Sequence, residues 1–297
     1  WTVREMRPCC PQKVAVCMIH EKIIIQEKTD QFEEAYMTTY FWEESRELYP
    51  GQKRPVILIC PGGAYRMTSD REAEAVAVRF MAEGYHTAVL RYSTAPARYP
   101  AALCQLAKAV SILKENSSRW LIEKDSVIVM GFSAGGHLAA SLGVFWNRPE
   151  LFEKPDLLPE QIRPAGMILS YPVITSGEYG HQESFRNLLG ERYEEMKDML
   201  SLEKQVSSDT PRTFLWHTME DATVPMENSL LFLQALRQNG VPAEYHLFPY
   251  GKHGVGLGNN LTAGEDGSGI APCADCWSAL AAKWLSREFP WWTPGKR

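Results

Sequence analysis

Three side chains of the sequence have the types and the order that nucleophilic catalysis by serine requires. Ser133 lies in the pentapeptide GFSAG (131–135), which follows the apolar run 127–130. Asp221 and His253 come later in the chain, each in a loop after an apolar stretch. A serine nucleophile needs a histidine base within hydrogen-bond reach and a carboxylate that orients the base. The pattern predicts acyl transfer with Ser133 as nucleophile, Asp221 as acid and His253 as base.

The residues around Ser133 indicate how the hydroxyl would be presented. The pattern G-x-S-x-G between a strand and a helix forms a sharp turn, in which the serine takes a strained backbone conformation. Gly131 and Gly135 are expected there because the turn leaves no room for larger neighbours. The turn would place the hydroxyl at a helix N-terminus, where free N–H groups and the helix dipole favour an oxyanion.

Other candidates for the acid and the base have weaker positions in the chain. Glu220 is the alternative acid, because it is the neighbour of Asp221 in the same loop. His217 and His246 fall inside predicted strands, and His137 lies one helical turn after the serine, so all three are expected to be structural. His253 lies in a glycine-rich loop that offers a histidine little to pack against, which favours it as the base.

The oxyanion would need backbone N–H donors close to the serine. One donor is expected from Ala134, which follows the nucleophile, and the others from the loop after a neighbouring strand. That loop is PGGAY (61–65), and its glycines let the backbone turn N–H groups towards the serine. We therefore predict an oxyanion hole made by the N–H group of Ala134 and an N–H group of the loop 61–65; the alternative is an ordinary turn at the end of a strand.

Strands and helices alternate along the chain around these loops. An antiparallel pair (20–28 and 35–42, with a turn around Thr29 and Asp30) is expected first, because both stretches are rich in β-branched and aromatic residues. Continuous apolar runs then predict buried strands, and helical spacing predicts helices between them. The predicted strands are 55–60, 85–92, 126–130, 165–171, 213–218 and 244–248, and the predicted helices are 72–83, 100–114, 226–238 and 276–287. Such alternation indicates an α/β fold with a mostly parallel sheet and helices on both faces.

We interpret residues 1–297 as a single domain with one small insertion. The segment 175–205 breaks the alternation and contains two short helical patterns, near 182–189 and 192–200, and we expect it to cover the active site. Aromatic residues there and in nearby loops are candidates for the wall of a substrate pocket; the alternative is that they are core. These candidates are Tyr65, Tyr92, Tyr179 and Phe185.

Composition narrows the class of protein and its partners. A net charge of −5 gives no reason to expect nucleic acid or an anionic membrane as a partner, and no apolar run approaches the ~20 residues that span a bilayer. The first 13 residues have no apolar stretch typical of a signal peptide. Seven scattered cysteines favour reduced thiols in a cytoplasm. Cys273 and Cys276 form a C-x-x-C pair, for which we prefer two plain thiols over a zinc or redox site.

The chain resembles the α/β-hydrolase superfamily over nearly its whole length. Within the superfamily it is most similar to bacterial esterases described as acetyl-xylan esterase-like, which are related to the hormone-sensitive-lipase and peptidase branches. The lipase branch usually has histidine where this chain has Pro61, and often a third glycine where it has Ala64. The segments that carry the resemblance are PGGAY (61–65), GYHTAVLRYS (84–93), GFSAGGHLAA (131–140), SYPVIT (170–175), HTMEDATVP (217–225) and GKHGVGL (251–257).

The resemblance implies an esterase that removes short acyl groups, above all acetyl, from xylo-oligosaccharides or other oligosaccharides, with no metal or organic cofactor. The family's nucleophile, acid and base fall on Ser133, Asp221 and His253. Its oxyanion donors fall on Gly63 and Ala64, together with Ala134. The expected partner is a small-molecule or oligosaccharide ester, and a homodimer is one option for the assembly. Alternatives are a serine amidase or peptidase, a general short-chain carboxylesterase, a lipase, for which the polar insertion is unfavourable, and a binding protein that keeps the fold.

Overall fold

A nine-stranded sheet forms the centre of the computed structural model, which describes residues 18–29, 33–45, 47–48, 50–152 and 157–292. The strands lie in the order β1-β3-β5-β4-β6-β7-β8-β9, and β2 pairs with β3. Their bounds are β1 (Met18–Ile19), β2 (Lys22–Gln26), β3 (Ala35–Trp42), β4 (Arg54–Cys60), β5 (His86–Arg91), β6 (Ile122–Phe132), β7 (Gly166–Ser170), β8 (Arg212–Thr218) and β9 (Ala243–Phe248).

The direction of the strands confirms the predicted α/β architecture. Six neighbouring strands of the sheet are parallel: β5, β4, β6, β7, β8 and β9. Strand β3 is antiparallel to β5, β1 and β2. Every residue of β4 and of β7 is buried. This burial explains why both strands have continuous apolar sequences instead of alternating ones.

Helices cover both faces of the sheet and separate two apolar cores. One core lies between the sheet and α2, α3 and α7, and the other lies under α1 and α8. The helix bounds are α1 (Glu74–Met81), α2 (Ala101–Glu115), α3 (Ala134–Phe145), α4 (Pro159–Ile162), α5 (Gln182–Leu189), α6 (Tyr193–Met196), α7 (Glu227–Gln238) and α8 (Trp277–Glu288).

The structure differs from the predicted elements in a few places. The predicted helix 72–83 starts as a 3₁₀ turn (Asp70–Glu72) and continues as α1, because the backbone of Ala73 (φ −120°, ψ −107°) interrupts it. The predicted helix 192–200 is shorter, since only α6 is α-helical there. Asp30 of the first predicted turn, the N-terminal 13 residues and Cys9, Cys10 and Cys17 lie outside the described residues.

The parallel strands place the predicted site residues at one edge of the sheet. Ser133 follows β6, Asp221 follows β8, and His253 follows β9 after a short loop. The loop 61–65 follows β4, which pairs with β6. Carboxyl ends of parallel strands meet at the same edge, so residues far apart in sequence converge there. The segment 175–205 lies between β7 and β8 at the same end of the sheet, and Phe185 of its helix α5 packs into the core beside α2 and α3.

Candidate active site

Ser133 occupies the strained turn that its sequence pattern predicts. Its φ of 53° and ψ of −120° lie in a region that residues with a side chain rarely adopt, and α3 begins at the next residue. A Cβ atom at Gly131 would lie 2.1 Å from the carbonyl oxygen of Gly135, and one at Gly135 would lie 2.1 Å from that of Cys60. Both glycines are therefore required by the close approach of backbone segments.

The structure brings Ser133, His253 and Asp221 together into one hydrogen-bonded chain. The Nε2 atom of His253 lies 2.8 Å from Oγ of Ser133, and its Nδ1 atom lies 2.6 Å from Oδ2 of Asp221. Because a carboxylate only accepts, Nδ1 carries the proton and Nε2 is left to accept the serine O–H. The Asp221 side chain is inaccessible to solvent, whereas the imidazole is 17% exposed. The base can therefore reach a substrate, while the acid is shielded.

Asp221 is held by its own loop as well as by histidine. Its Oδ1 atom accepts the backbone N–H groups of Thr223 (3.0 Å) and Val224 (2.9 Å). Burial by itself would raise the pKa of this carboxyl, but hydrogen bonds from His217 and His253 outweigh burial and hold the pKa well below its usual range. The carboxyl of Asp221 is therefore ionised at neutral pH.

His217 lies in β8, but its side chain contacts the loop that contains Asp221. Its Nε2 atom donates to the carbonyl oxygen of Val224 (2.9 Å) and lies 3.4 Å from Oδ2 of Asp221. Its Nδ1 atom lies 2.8 Å from Oγ of Ser229. The residue is structural, as expected, but the structure it supports is the loop of the acid.

Glu220 and His246, the weaker candidates, lie away from this chain of hydrogen bonds. Glu220 is exposed, and its carboxylate accepts the N–H group of Gly251 at 3.1 Å. His246 lies in β9, where its Nε2 atom is 2.9 Å from Glu244. Neither residue takes the place of Asp221 or His253 in the structure.

The loop after β4 has backbone N–H groups that are free for a ligand. Gly63, Ala64 and Tyr65 all have positive φ values (128°, 54° and 55°), which turn successive amides in a way that extended or helical chain does not. In the part of the chain that the structure describes, the N–H groups of Gly63, Ala64 and Ala134 donate no hydrogen bond. A Cβ atom at Gly63 would lie 2.3 Å from the carbonyl oxygen of Met67, so glycine is required there.

This loop, which we call the oxyanion loop (61–65), is fixed by side chains from several elements. Tyr92 donates its hydroxyl to the carbonyl oxygen of Pro61 (2.6 Å), and Asn187 donates its amide to that of Ala64 (2.8 Å). The hydroxyl of Tyr65 donates to Nδ1 of His137 (2.9 Å), whose Nε2 in turn donates to a backbone carbonyl of the insertion. Burial lowers the pKa of His137 to about 4, so its ring is neutral and can accept this bond.

Three of the four residues expected to wall a substrate pocket are core residues instead. Tyr65, Tyr92 and Phe185 are between 1% and 4% exposed. The hydroxyls of the two tyrosines are engaged in the bonds that fix the oxyanion loop, and Phe185 contacts the His137 ring edge-on. Tyr179 is 38% exposed and remains a candidate for substrate contact. The burial of these three supports the alternative of a core position, because aromatic residues near a site pack as readily as they line it.

A cavity of about 730 Å³ lies beside His253, on the side of the 250–273 loop. Its walls carry both charges and several hydroxyl groups. Arg71 is fixed there by bonds to the carbonyl oxygen of Gly254 (3.2 Å) and to Oγ of Ser268 (3.2 Å). The polar side chains that line the cavity include Arg71, Glu220, Tyr250, Lys252, Asp266 and Ser268.

The C-x-x-C pair forms no recognisable site in the structure. Cys273 and Cys276 are free thiols, and Cys276 immediately precedes α8. Among the described residues there is no group of three or more side chains that could hold a metal ion. In the same part of the chain, no helix has the length and apolar character needed to cross a bilayer.

Three residues that bear on the site were not singled out from the sequence: Glu72, Tyr171 and Asn187. The first two bond to each other through Oε1 of Glu72 and the Tyr171 hydroxyl (2.7 Å). None of the three has a local spacing signal, since their partners lie on other strands and loops. Glu72 is recognisable by its burial, which is unusual for a glutamate, but burial can be seen only in the folded structure.

Comparison with known proteins identifies the family of the chain. The model of the BD-FAE family matches residues 48–236. Endo-1,4-beta-xylanase B of Butyrivibrio fibrisolvens is 39% identical over 70% of this chain and 33% of its own length. The acetylxylan esterase of Xylanibacter ruminicola is 29% identical over 67% of this chain and 40% of its own length. The chain thus spans about a third to two fifths of these curated relatives.

A solved structure matches over almost the whole of both chains. The acetyl ester-xyloside bifunctional hydrolase of Caldicellulosiruptor lactoaceticus is 32% identical, with a TM-score of 0.78, and the match covers 92% of this chain and 98% of that one. The residues that match the family include the loop 61–65, the turn at Ser133 and Asp221, and His253 lies after the last of them. The chain belongs to the BD-FAE family, and it is an α/β hydrolase of the carboxylic ester hydrolase type, similar to acetylxylan esterases.

Proposed function

We propose that this chain is a serine esterase that removes short acyl groups, above all acetyl, from oligosaccharides such as xylo-oligosaccharides. The observation that carries the proposal is the chain of hydrogen bonds from Ser133 through His253 to Asp221, with distances of 2.8 and 2.6 Å. Such a chain beside free backbone donors suits acyl transfer through a covalent acyl-enzyme. It would act on the ester without a metal or an organic cofactor.

The proposed reaction has two steps. In the first, Ser133 attacks the ester carbonyl while Nε2 of His253 takes the serine proton, and the imidazolium that forms is stabilised by Asp221. The developing oxyanion would accept hydrogen bonds from the N–H groups of Gly63 and Ala134, with Ala64 as a further donor. His253 then gives its proton to the leaving alcohol, and water resolves the acyl-enzyme by the same route.

The cavity beside His253 supports a carbohydrate as the leaving alcohol. Because His253 must protonate the leaving oxygen, the alcohol has to lie on the side of the imidazole. The cavity there holds about 730 Å³, within the range of small-ligand sites. Its walls present a guanidinium, two carboxylates and hydroxyls, namely Arg71, Glu220, Asp266, Ser268 and Tyr250, which can hydrogen-bond sugar hydroxyls.

Two relatives support a short acyl group. An acetylxylan esterase and an acetyl ester-xyloside bifunctional hydrolase are among the proteins that this chain is similar to, and both point to acetyl esters. An amidase or peptidase of the same fold would use the same three residues, so the substrate must be tested directly.

The test is acetate release from acetylated xylo-oligosaccharides by the wild type and by Ser133→Ala. We expect release by the wild type and a loss of at least 10³-fold in the variant. Ser141→Ala is the matched control, because this serine is buried in α3, where its hydroxyl bonds only to the carbonyl oxygen of His137.

Two other outcomes would change the proposal. Wild type that cleaves 4-nitrophenyl acetate through Ser133 but releases no acetate from the oligosaccharide would leave a general short-chain carboxylesterase. Wild type that hydrolyses neither ester, but cleaves an anilide of a short acid, would replace the esterase with an amidase.

A further inference from the structure

Glu72 is a buried carboxylate under the active site that the proposed reaction does not use. It ends the 3₁₀ turn Asp70–Glu72 before α1, and it is 3% exposed. Its Oε2 atom accepts the N–H group of Gly62 and its Oε1 atom accepts the hydroxyl of Tyr171, both at 2.7 Å. A buried carboxylate costs free energy that a neutral, well-packed side chain would not, so these bonds require an explanation.

The two partners of Glu72 belong to opposite halves of the site. Gly62 directly precedes Gly63 and Ala64, whose N–H groups are the proposed oxyanion donors. Tyr171 follows β7, and its hydroxyl oxygen accepts the N–H group of Gly256 (3.0 Å), which lies three residues after His253. The carboxylate thus connects the oxyanion loop to the loop of the base through a continuous chain of buried hydrogen bonds.

The groups around these hydrogen bonds are packed so closely that a shift of Glu72 would also move its neighbours. A Cβ atom at Gly62 would lie 2.7 Å from Oε2 of Glu72 and 2.9 Å from Cβ of Ser133. The ring of Tyr171 contacts the imidazole of His253 edge-on, with centroids 5.1 Å apart. Its backbone φ of 36° is unusual for a residue with a side chain, which indicates that the surrounding contacts fix its position.

The direction of each bond matters for a substitution. Both oxygens of Glu72 act as acceptors, because Gly62 offers an N–H group and the Tyr171 oxygen already accepts from Gly256. In Glu72→Gln, the amide nitrogen must face one of these two donors. The variant keeps the size of the side chain, but its NH₂ group either faces the N–H donor of Gly62 or makes the Tyr171 hydroxyl turn its proton away, so one of the two bonds that the carboxylate accepts is lost.

We propose that Glu72 is a positioning residue that fixes the oxyanion loop relative to the loop carrying His253. The inference rests on the proposed function, since it assigns Glu72 to the oxyanion hole and base of that same reaction. It touches no reacting atom. A shift of a few tenths of an ångström in the oxyanion donors weakens transition-state binding more than substrate binding, because the donors are placed for the oxyanion.

The test compares Glu72→Gln and Tyr171→Phe with the wild type on 4-nitrophenyl acetate. We expect Glu72→Gln to lower kcat by about 10- to 100-fold with KM within about threefold. We expect Tyr171→Phe, which keeps the ring contact with His253 but loses both hydroxyl bonds, to lower kcat by about 5- to 30-fold. Glu244→Gln is the control, because this carboxylate bonds to Arg287 and His246 at the other end of the sheet, and it should retain wild-type kcat.

A second measurement separates positioning from a merely structural role. An aryl trifluoromethyl ketone binds serine hydrolases as a tetrahedral oxyanion, so its Ki should rise in each variant by about the same factor as kcat falls. Variants whose folded fraction binds the ketone as tightly as wild type would overturn the inference, even where the yield or thermal stability is lower. If Glu72→Gln does not fold, Tyr171→Phe decides the question by the same two readouts.

Failure of this inference differs from failure of the proposed function. The inference fails when the wild type is active, Ser133→Ala is inactive, and Glu72→Gln and Tyr171→Phe keep wild-type kcat and Ki. The proposed function fails when the wild type hydrolyses no ester or when Ser133→Ala keeps its activity. A wild type without esterase activity would also overturn the role of Glu72 in that reaction.

Discussion

Asp221→Asn should inactivate the enzyme by changing the tautomer of the base rather than by disturbing the fold. The carboxylate accepts three short hydrogen bonds: Nδ1–H of His253 on Oδ2 and the N–H groups of Thr223 and Val224 on Oδ1. Asparagine has only one oxygen. Because the two backbone donors are fixed, the asparagine oxygen must stay with them, and its NH₂ group must face His253.

The magnitude follows from the proton on the imidazole. With an NH₂ group in front of it, Nδ1 of His253 must become an acceptor, so the proton moves to Nε2. A protonated Nε2 cannot take the proton of Ser133, although the 2.8 Å geometry is unchanged. The same tautomer change in a serine triad costs about 10⁴-fold in kcat, so we expect a loss of about 10³- to 10⁴-fold, or about 4 to 5.5 kcal/mol.

The assay is kcat for 4-nitrophenyl acetate, measured together with thermal unfolding of the same preparations. Asp209→Asn is the matched control, since this exposed carboxylate accepts from Asn147 in the segment before β8, away from the site, and it should keep kcat within about twofold. A variant Asp221→Asn that keeps more than a tenth of wild-type kcat would refute the argument. Loss of activity in Glu220→Gln instead would give the role of the acid to the neighbouring residue.

Three further predictions concern the oxyanion loop, the turn at Ser133 and two buried histidines. Asn187→Ala should lower kcat by about 5- to 30-fold, because the bond to the Ala64 carbonyl (2.8 Å) is lost, and steady-state kinetics with acetyl esters would detect it. Gly135→Ala should lower the free energy of unfolding by about 1–3 kcal/mol, because its Cβ atom would lie 2.1 Å from the carbonyl oxygen of Cys60. Urea unfolding measures this loss, and a variant as stable as the wild type would contradict the prediction. Burial lowers the pKa of His86 to about 3 and that of His137 to about 4, so below pH 6.5 the unfolded chain binds protons that the folded chain does not. Stability should therefore fall as the pH falls from 7.5 to 5, by about 2 kcal/mol for each histidine, and His86→Asn should remove about half of that slope in urea titrations.

Sequence alone was sufficient for the parts of the site that depend on local patterns. The turn at Ser133, the loop 61–65 and the order of the three candidate residues are each encoded by neighbours within a few positions, and the fold class follows from the alternation of strands and helices. The structure places these residues at the same edge of the sheet, as parallel strands require. Their catalytic roles remain predictions until the variants are measured.

Contacts between distant segments could not be predicted in the same way. Glu72 meets Tyr171 across 99 residues, and Asn187 meets Ala64 across 123 residues, so no spacing rule relates the partners. The positions of the aromatic residues could not be predicted either. Their type is compatible both with the wall of a pocket and with the core, and the burial of Tyr65 and Phe185 is a property of the whole fold.

The bond from Asn187 to the oxyanion loop has a consequence for engineering. The insertion between β7 and β8 begins at the edge of the sheet where Ser133 lies, and we expect it to be the segment to exchange when a new substrate is sought. Its helix α5, however, also carries the amide that holds the Ala64 carbonyl at 2.8 Å. A grafted segment without a donor at that point would change which substrates the protein accepts. It would also remove a hydrogen bond that fixes the oxyanion loop, and this loss would affect every substrate. We therefore expect an exchange of this segment to alter both specificity and rate, and the grafted segment should keep Asn187.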